Sequence, residues 1–146
     1  MKKRRIRPLA ICVFRHNGRI LVAEGYDEVK DQYFYRPLGG GIEFGETSME
    51  TVCRELMEEI NVEVDRESLV YLGTLENIFH FNGLASHEII LVYDGALKDS
   101  RLYKQAMLLG KEANGEDIEA RWKNIDEFRE GNSILYPTGL LEMLRE

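Results

Sequence analysis

The stretch from Gly40 to Val62 decides the fold and reads G-G-I-E-F-G-E-T-S-M-E-T-V-C-R-E-L-M-E-E-I-N-V. Its first part is rich in glycine, which predicts a loop whose backbone can approach a ligand closely. Its second part is predicted to be a helix that begins at Thr47 or Ser48 and ends near Ile60, because apolar residues recur at helical spacing. We expect the apolar stripe of this helix to face the core, and it consists of Met49, Val52, Cys53, Leu56 and Ile60.

Both ends of the predicted helix carry residues that favour a helix boundary. If Thr47 is the N-cap, Glu50 is placed to complete a capping box, in which the two side chains bind free backbone N–H groups. Asn61 follows Ile60 and is a suitable stop, because asparagine tolerates the left-handed backbone conformation better than most residues do. The boundaries of the helix are therefore encoded locally.

Three glutamates, Glu55, Glu58 and Glu59, gather on another side of this helix at positions i, i+3 and i+4. Like charges at this spacing cost about 0.2–0.5 kcal/mol per pair, and the helix dipole disfavours anions near the C-terminal end by about 0.3–1 kcal/mol each. Two interpretations remain, a solvated acidic face or a site for a hard divalent cation with oxygen ligands. The glycine-rich loop directly before the helix favours the cation site.

The spacing of these residues resembles the signature of the Nudix hydrolases, G-x(5)-E-x(7)-R-E-U-x-E-E-x-G-U, in which U is a bulky aliphatic residue. The matching positions are Gly40, Glu46, Arg54, Glu55, Leu56, Glu58, Glu59 and Val62. One position departs, because Asn61 stands where the signature has its last glycine. Asparagine also adopts the geometry of a helix stop, so we expect the departure to have a structural cost and little effect on function.

The resemblance implies a single α+β domain over residues 1–146, an α/β/α sandwich with a mixed β-sheet flanked by helices. It also implies a hydrolase that cleaves a diphosphate linkage in a nucleoside diphosphate derivative or a nucleoside triphosphate, with a metal-activated water as nucleophile. The cofactor would be Mg²⁺, with Mn²⁺ as a substitute. The alternative is a non-catalytic module on the same fold that binds a nucleotide or ADP-ribose. The complete set of signature carboxylates favours the enzyme.

The resemblance also gives individual residues their roles. Three carboxylates and one backbone carbonyl would hold the metal, and they belong to Glu55, Glu58, Glu59 and Gly40. Glu46 and Arg54 would form a pair that orients these carboxylates. The general base that takes the proton from the water is expected to be Glu58, with Glu88 as the second choice. For Glu88, an exposed carboxylate at the end of a strand is the alternative interpretation.

The substrate side of the predicted site is less fully specified. Arg36 lies beside the glycine-rich loop, where its guanidinium could meet a phosphate. Phe44 lies within the loop and is the aromatic residue that we expect to stack on a base. Close backbone approach to the substrate is expected at the three consecutive glycines Gly39, Gly40 and Gly41.

The rest of the chain predicts strands on both sides of this helix. Residues 9–23 are expected to form a hairpin around Asn17-Gly18, a strong two-residue turn signal. Its first arm is almost entirely apolar, which predicts a central strand that is covered on both faces. Further strands are expected at 32–36, 69–81, 88–97 and 118–123, with a short helix at 137–145. The second and third of these strands are expected to be joined through Asn82-Gly83. The segment 98–110 fits either a helix or irregular structure.

Composition limits the classes of protein that remain. The chain has 146 residues, of which 44% are hydrophobic, and this is enough for the core of one domain. Its formal charge of -7 argues against nucleic acid as a partner, and the resemblance implies a small-molecule nucleotide as the ligand. Cys12 and Cys53 are expected to be buried and reduced, and no apolar run approaches the roughly 20 residues of a membrane span. We therefore expect a cytoplasmic protein, either a monomer or a homodimer.

Overall fold

The chain builds a mixed β-sheet that lies between helices. The computed structural model describes residues 4–144, and within that range eight strands form the sheet. The strands are β1 Ile6–His16, β2 Arg19–Asp27, β3 Gln32–Arg36, β4 Leu38–Gly41, β5 Val64–Phe81, β6 Leu84–Leu97, β7 Met107–Lys111 and β8 Asp117–Asn124. The helices are α1 Ser48–Ile60, α2 Ile125–Arg129 and α3 Leu140–Met143, and a 3-10 helix covers Ser100–Lys104.

Strand β1 lies at the centre of the sheet. The strand order is β5-β6-β1-β2-β8-β7, while β3 pairs with β2 and β4 pairs with β1. The pair β1–β6 is parallel and the other pairs are antiparallel, so the sheet is mixed, as predicted. Residues 9–14 of β1 are all buried, which confirms the prediction of a central strand covered on both faces.

Helices cover both faces of the sheet and enclose two clusters of apolar side chains. On one face, α1 inserts Val52, Leu56 and Ile60 into a cluster with side chains from the sheet. On the other face, α2 and α3 contribute Phe128 and Leu140 to a second cluster. This arrangement confirms the α+β class and the layered architecture.

The local turn signals of the sequence formed the expected turns. Asn17 and Gly18 have φ values of 53° and 76° and connect β1 to β2. Asn82 and Gly83 have φ values of 51° and 79° and connect β5 to β6. Positive φ at both central positions matches the right-handed twist of the flanking strands, which is why Asn-Gly favours this kind of hairpin.

Several strands are longer than predicted, with β5 beginning at Val64 and β6 at Leu84. Two further boundaries differ for a specific structural reason. The glycine-rich segment was expected to be a loop from its start, but Leu38–Gly41 forms β4 because its backbone pairs with residues 9–12 of β1. The C-terminal helix is shorter than the predicted 137–145, because Gly139 has a left-handed φ of 98° and α3 begins only at Leu140. Residue 145, the predicted end of that helix, lies outside the described residues.

The second half of the chain contains elements that were not predicted, and one cysteine is less buried than expected. The segment 98–110, for which the sequence favoured neither alternative, contains the 3-10 helix and the start of β7. The short helix α2 has no counterpart in the predictions. Cys12 is buried as expected, but Cys53 is only half-buried because it lies at the border of the apolar stripe of α1. Among residues 4–144, no helix is long and apolar enough to cross a membrane.

Candidate active site

Helix α1 carries the predicted site, and its ends form as the sequence indicates. Thr47 is the N-cap, and its hydroxyl accepts from the backbone N–H of Glu50, whose side chain in turn accepts from the N–H of Thr47. Asn61 ends the helix in the left-handed conformation, with φ 54° and ψ 44°. Asparagine thus takes the place of the signature glycine without disturbing the helix end, and the buried stripe fixes the direction in which the glutamates face.

Arg54 is the centre of the site. Its Nε donates to Glu46 Oε2 at 2.7 Å, and its Nη2 donates to Glu46 Oε1 and to the carbonyl oxygen of Gly41, both at 3.0 Å. Its Nη1 donates to Glu55 Oε1 and to Glu58 Oε1, both at 3.1 Å. One guanidinium therefore connects β4, the loop before α1 and two of the three candidate metal ligands on α1.

These contacts shift the pKa values of Glu46 and Arg54. Hydrogen bonds from Arg54 and Thr51 lower the pKa of Glu46 to about 2. The hydrogen bond to Glu46 and the other nearby carboxylates raise the pKa of Arg54, so this guanidinium remains charged. The Glu46–Arg54 pair is thus a fixed support for the carboxylates around it.

The low pKa of Glu46 predicts a pH-dependent contribution to stability. Because the folded-state pKa lies below the ordinary 4.5, ionised Glu46 stabilises the fold at neutral pH, and this stabilisation is lost as the pH falls from about 4.5 towards 2. We expect Glu46→Gln to lower the free energy of unfolding at pH 7 and to approach the wild type as the pH falls. Urea titrations in EDTA at a series of pH values measure this difference.

Glu63→Gln provides the control for this prediction, because within residues 4–144 the Glu63 carboxylate forms only an exposed ion pair with Lys98. We expect this variant to unfold like the wild type at every pH, since exposed pairs contribute little. A difference between Glu46→Gln and the wild type that stays constant from pH 7 to pH 3 would contradict the assignment.

Gly40 leaves the space that the Glu55 carboxylate occupies. A Cβ atom at residue 40 would lie 2.4 Å from Glu55 Cδ and 2.5 Å from its Oε1. Gly40 pairs with Ala10 of β1, so the sheet holds its backbone in place. Burial raises the pKa of Glu55, while Arg54 acts in the opposite direction. The carboxylate of Glu55 is therefore packed against β4 and keeps a contact with the charged guanidinium of Arg54.

Glu59 occupies the least satisfied position of the three glutamates. Its Oε1 is buried and has no hydrogen-bond partner among the described residues. Burial, followed by the nearby charges of Glu55, Glu112 and Glu58, raises the pKa of Glu59 to about 8. A buried carboxylate oxygen without a partner is costly, and a positive charge at this place would offset the cost.

Glu112 joins this group, although the sequence alone did not single it out. It follows β7, and its charge acts on Glu59. The approach of β7 to α1 depends on Gly110, because a Cβ atom there would lie 1.7 Å from the carbonyl oxygen of Glu59. An isolated glycine in a strand is a signal of such close contact, but its partner was too distant in sequence to be recognised.

The residues present fit a hard divalent cation. The side-chain donors are all carboxylate oxygens, one of them is buried without a partner in the described part of the chain, and their mutual repulsion favours a cation between them. Within residues 4–144, however, no three acidic, histidine or cysteine side chains are already gathered at the spacing of metal ligands. Arg54 explains why these carboxylates are not gathered around one point. It binds Glu55 and Glu58 and so supplies the positive charge that they face.

The remaining candidates lie apart from the carboxylates of α1. Glu88 is 5% exposed and forms ion pairs with Arg36 and Arg7, so the interpretation as an exposed strand-end carboxylate is wrong. Burial on the parallel pair β1–β6 explains this difference. Arg36 ends β3, and Phe44 projects fully into solvent from the loop before α1.

Known proteins share a family sequence pattern and a fold with this chain. The family model for the NUDIX domain matches residues 3–139. A MutT NUDIX hydrolase from Burkholderia pseudomallei shares 20% identity and a TM-score of 0.66, over 97% of this chain and 99% of that chain. A NUDIX hydrolase from Nitrosomonas europaea shares 15% identity and a TM-score of 0.66, over 96% of this chain and 86% of that chain.

A MutT protein from Bacillus halodurans shares 20% identity and a TM-score of 0.59, over 86% of this chain and 72% of that chain. No curated protein matches the chain. The structural likenesses at these identities show the fold, and the match to the family model extends over most of the sequence. The chain therefore belongs to the Nudix hydrolase family, as the stretch from Gly40 to Val62 predicted.

Proposed function

We propose that this protein is a hydrolase that depends on a divalent metal and cleaves the diphosphate linkage of a nucleoside diphosphate derivative or a nucleoside triphosphate. The observation that carries the proposal is the group around Arg54, in which one guanidinium contacts Glu46, Glu55 and Glu58 while Glu59 lies beside them with a buried, unpartnered oxygen. In a member of the Nudix family, this group has the composition of a metal-binding active centre.

The metal ligands that we propose are the carboxylates of Glu55, Glu58 and Glu59 and the backbone carbonyl of Gly40, with Glu112 as a further carboxylate. Mg²⁺, with Mn²⁺ as a substitute, would neutralise the charge of the diphosphate and lower the pKa of a bound water. The protein has a net charge of -7, so cations between the carboxylates and the substrate also account for how it binds an acidic ligand.

The remaining residues of the centre hold and orient the proposed metal ligands. Arg54 keeps Glu55 and Glu58 at 3.1 Å from one nitrogen, which fixes two carboxylates relative to each other. Glu46 fixes Arg54 in turn through two hydrogen bonds. The side chain of Glu58 is 61% exposed, so its free Oε2 can accept a proton from water. We assign the general base to Glu58.

On the substrate side, we propose that Gly39, Gly40 and Gly41 allow close approach of the phosphates. Phe44 has a ring that is fully exposed and free to stack on a base. Arg36 offers guanidinium N–H groups from a side chain that is 30% exposed. The glycines belong to β4, Phe44 to the loop that follows it, and Arg36 to the end of β3.

The assignment of Glu58 predicts the effect of its neutral analogue. We expect Glu58→Gln to lower kcat by about 100-fold or more at saturating Mg²⁺, because a general base contributes roughly 10²–10⁴-fold. Steady-state kinetics at saturating Mg²⁺ measure this effect, with Glu63→Gln as the control. A variant that keeps the kcat of the wild type would show that another residue takes the proton.

The proposed function is tested by metal-dependent hydrolysis over a panel of substrates. The panel contains nucleoside di- and triphosphates, ADP-ribose, nucleotide sugars and dinucleoside polyphosphates, each with Mg²⁺, with Mn²⁺ and with EDTA. We expect turnover of at least one class with the metals and none in EDTA. Binding of a nucleotide by calorimetry without any turnover across the panel would overturn the proposal and indicate a binding module.

A further inference from the structure

Glu88 is a buried carboxylate between two arginines. Its side chain is 6% exposed, while those of Arg36 and Arg7 are 30% and 62% exposed. Arg36 Nη2 lies 3.2 Å from Glu88 Oε1, and Arg7 Nη1 lies 3.6 Å from Glu88 Oε2. A buried charge is costly even when it is paired. Here one buried anion holds two guanidiniums toward solvent, and the local charge is positive in an acidic protein.

Arg7 lies on the opposite side of β4 from the carboxylates of α1, and Arg36 shares Glu88 with it. Successive residues of a strand project to opposite faces. A Cβ atom on Gly40 would meet the Glu55 carboxylate, whereas one on Gly41 would lie 3.8 Å from Arg7 Nη2. The carbonyl oxygen of Gly41 accepts from Arg54 Nη2 at 3.0 Å. The arginine side and the carboxylate side are therefore neighbours, and the backbone of β4 separates them.

We infer that Arg7 and Arg36 bind a phosphate group that the substrate carries in addition to the diphosphate that is cleaved, and that Glu88 is the residue that positions them. This inference rests on the proposed function, since it places the scissile diphosphate at the carboxylates of α1. Two partly exposed guanidiniums that share one buried carboxylate suit a phosphate, because their N–H groups match its oxygens. The substrate class is thus a diphosphate compound with a separate phosphate on the moiety it links.

The contacts of Glu88 distinguish this role from that of a general base. Each of its oxygens faces a guanidinium, one from Arg36 and one from Arg7. The carboxylate is also almost entirely buried, so water has little access to it. Glu88 therefore acts through the arginines, as a positioning residue, rather than on the reacting water.

A binding experiment in EDTA tests the arginines without relying on turnover. Isothermal calorimetry compares AMP with adenosine 2′,5′-bisphosphate and adenosine 3′,5′-bisphosphate. We expect at least one bisphosphate to bind the wild type about tenfold more tightly than AMP, as expected for one added charge-assisted contact. Arg36→Gln and Arg7→Gln should each reduce this preference. Arg101→Gln is the matched control, because Arg101 is 86% exposed and pairs only with Asp99 within the described part of the chain.

A kinetic experiment tests the substrate class and the role of Glu88. The substrates form matched pairs that differ by one phosphate remote from the diphosphate, NADPH with NADH and coenzyme A with dephospho-coenzyme A. We expect a higher kcat/KM for the phosphorylated member of at least one pair. In Glu88→Gln this preference should fall about tenfold through a higher KM of the phosphorylated member, because the arginines lose the anion that fixes them.

The outcomes separate the two proposals. Hydrolysis of both members of a pair without preference, together with equal binding of AMP and both bisphosphates, would overturn the inference and leave the proposed function intact. A lack of any hydrolysis would count against the proposed function, while the calorimetry would still decide the arginine site. If Glu88→Gln lowers kcat equally for both members of each pair, Glu88 acts on the reaction itself and the positioning role is wrong.

Discussion

Glu59→Gln is expected to abolish most of the activity while leaving the fold intact. A metal ion at such a centre contributes several kcal/mol to the stabilisation of the transition state. If Glu59 is one of its ligands, we expect kcat/KM to fall by about a thousandfold, since each factor of ten corresponds to about 1.4 kcal/mol. The side chain lies away from the apolar stripe of α1, so packing of the core is unchanged.

The metal-free protein should show the opposite trend in stability. Glu59 Oε1 is buried without a partner, and the charges of Glu55, Glu58 and Glu112 lie close to it. Replacing the carboxylate by an amide of the same shape removes this repulsion. We expect Glu59→Gln in EDTA at pH 8 to unfold at a higher temperature than the wild type, and in Mg²⁺ to lose the stabilisation that the wild type gains.

Calorimetric titration with Mg²⁺, thermal unfolding and steady-state kinetics measure these effects on the same preparations. Glu63→Gln is the matched control, because it removes the same charge from an exposed side chain. Full activity of Glu59→Gln at a low Mg²⁺ concentration would show that Glu59 is not a ligand. Loss of activity together with a lower unfolding temperature in EDTA would indicate a structural role instead.

The sequence predicted the elements whose causes are local. The ends of α1 follow from Thr47, Glu50 and Asn61, which act on the backbone within four residues of themselves. The turns at Asn17-Gly18 and Asn82-Gly83 likewise need only the left-handed preference of two residues each. In each case a short range of sequence contains all the partners, so the pattern was sufficient.

The features that the sequence did not predict depend on partners far apart in the chain. Strand β4 exists because β1 pairs with three consecutive glycines, which on their own favour a loop. Glu112 reaches Glu59 only because Gly110 lets β7 approach α1. The parallel pairing of β1 and β6 brings Glu88 opposite Arg7, across a separation of more than half the chain. No local pattern contains these contacts.

Gly40→Ala is expected to lower activity by displacing Glu55, with little change in the fold. The new Cβ would lie 2.4 Å from Glu55 Cδ and 2.7 Å from its Oε2, which is too close for either group to stay. The backbone of residue 40 is paired with β1, so the flexible carboxylate is the group that moves. The φ of Gly40 is not in the left-handed region, and alanine therefore adds no backbone strain.

A displacement of about 1 Å in a catalytic group can cost about 100-fold in rate, and we expect a loss of kcat/KM of this size. Gly41→Ala is the matched comparison on the next residue. Its Cβ would point to the other face of β4, at an ordinary 3.8 Å from Arg7 Nη2, so we expect a smaller loss, below about tenfold. Kinetics at several Mg²⁺ concentrations and the unfolding temperatures of both variants provide the comparison.

The difference between the two glycine variants decides what β4 contributes to the activity. If Gly40 matters because Glu55 occupies the place of its side chain, only Gly40→Ala should weaken Mg²⁺ binding, and excess Mg²⁺ should restore part of its activity. If the strand contributes only flexibility, the two alanine variants should lose activity equally, and Mg²⁺ should rescue neither. Equal losses would therefore remove Glu55 from contact with β4 in the working enzyme and contradict the proposed arrangement of ligands.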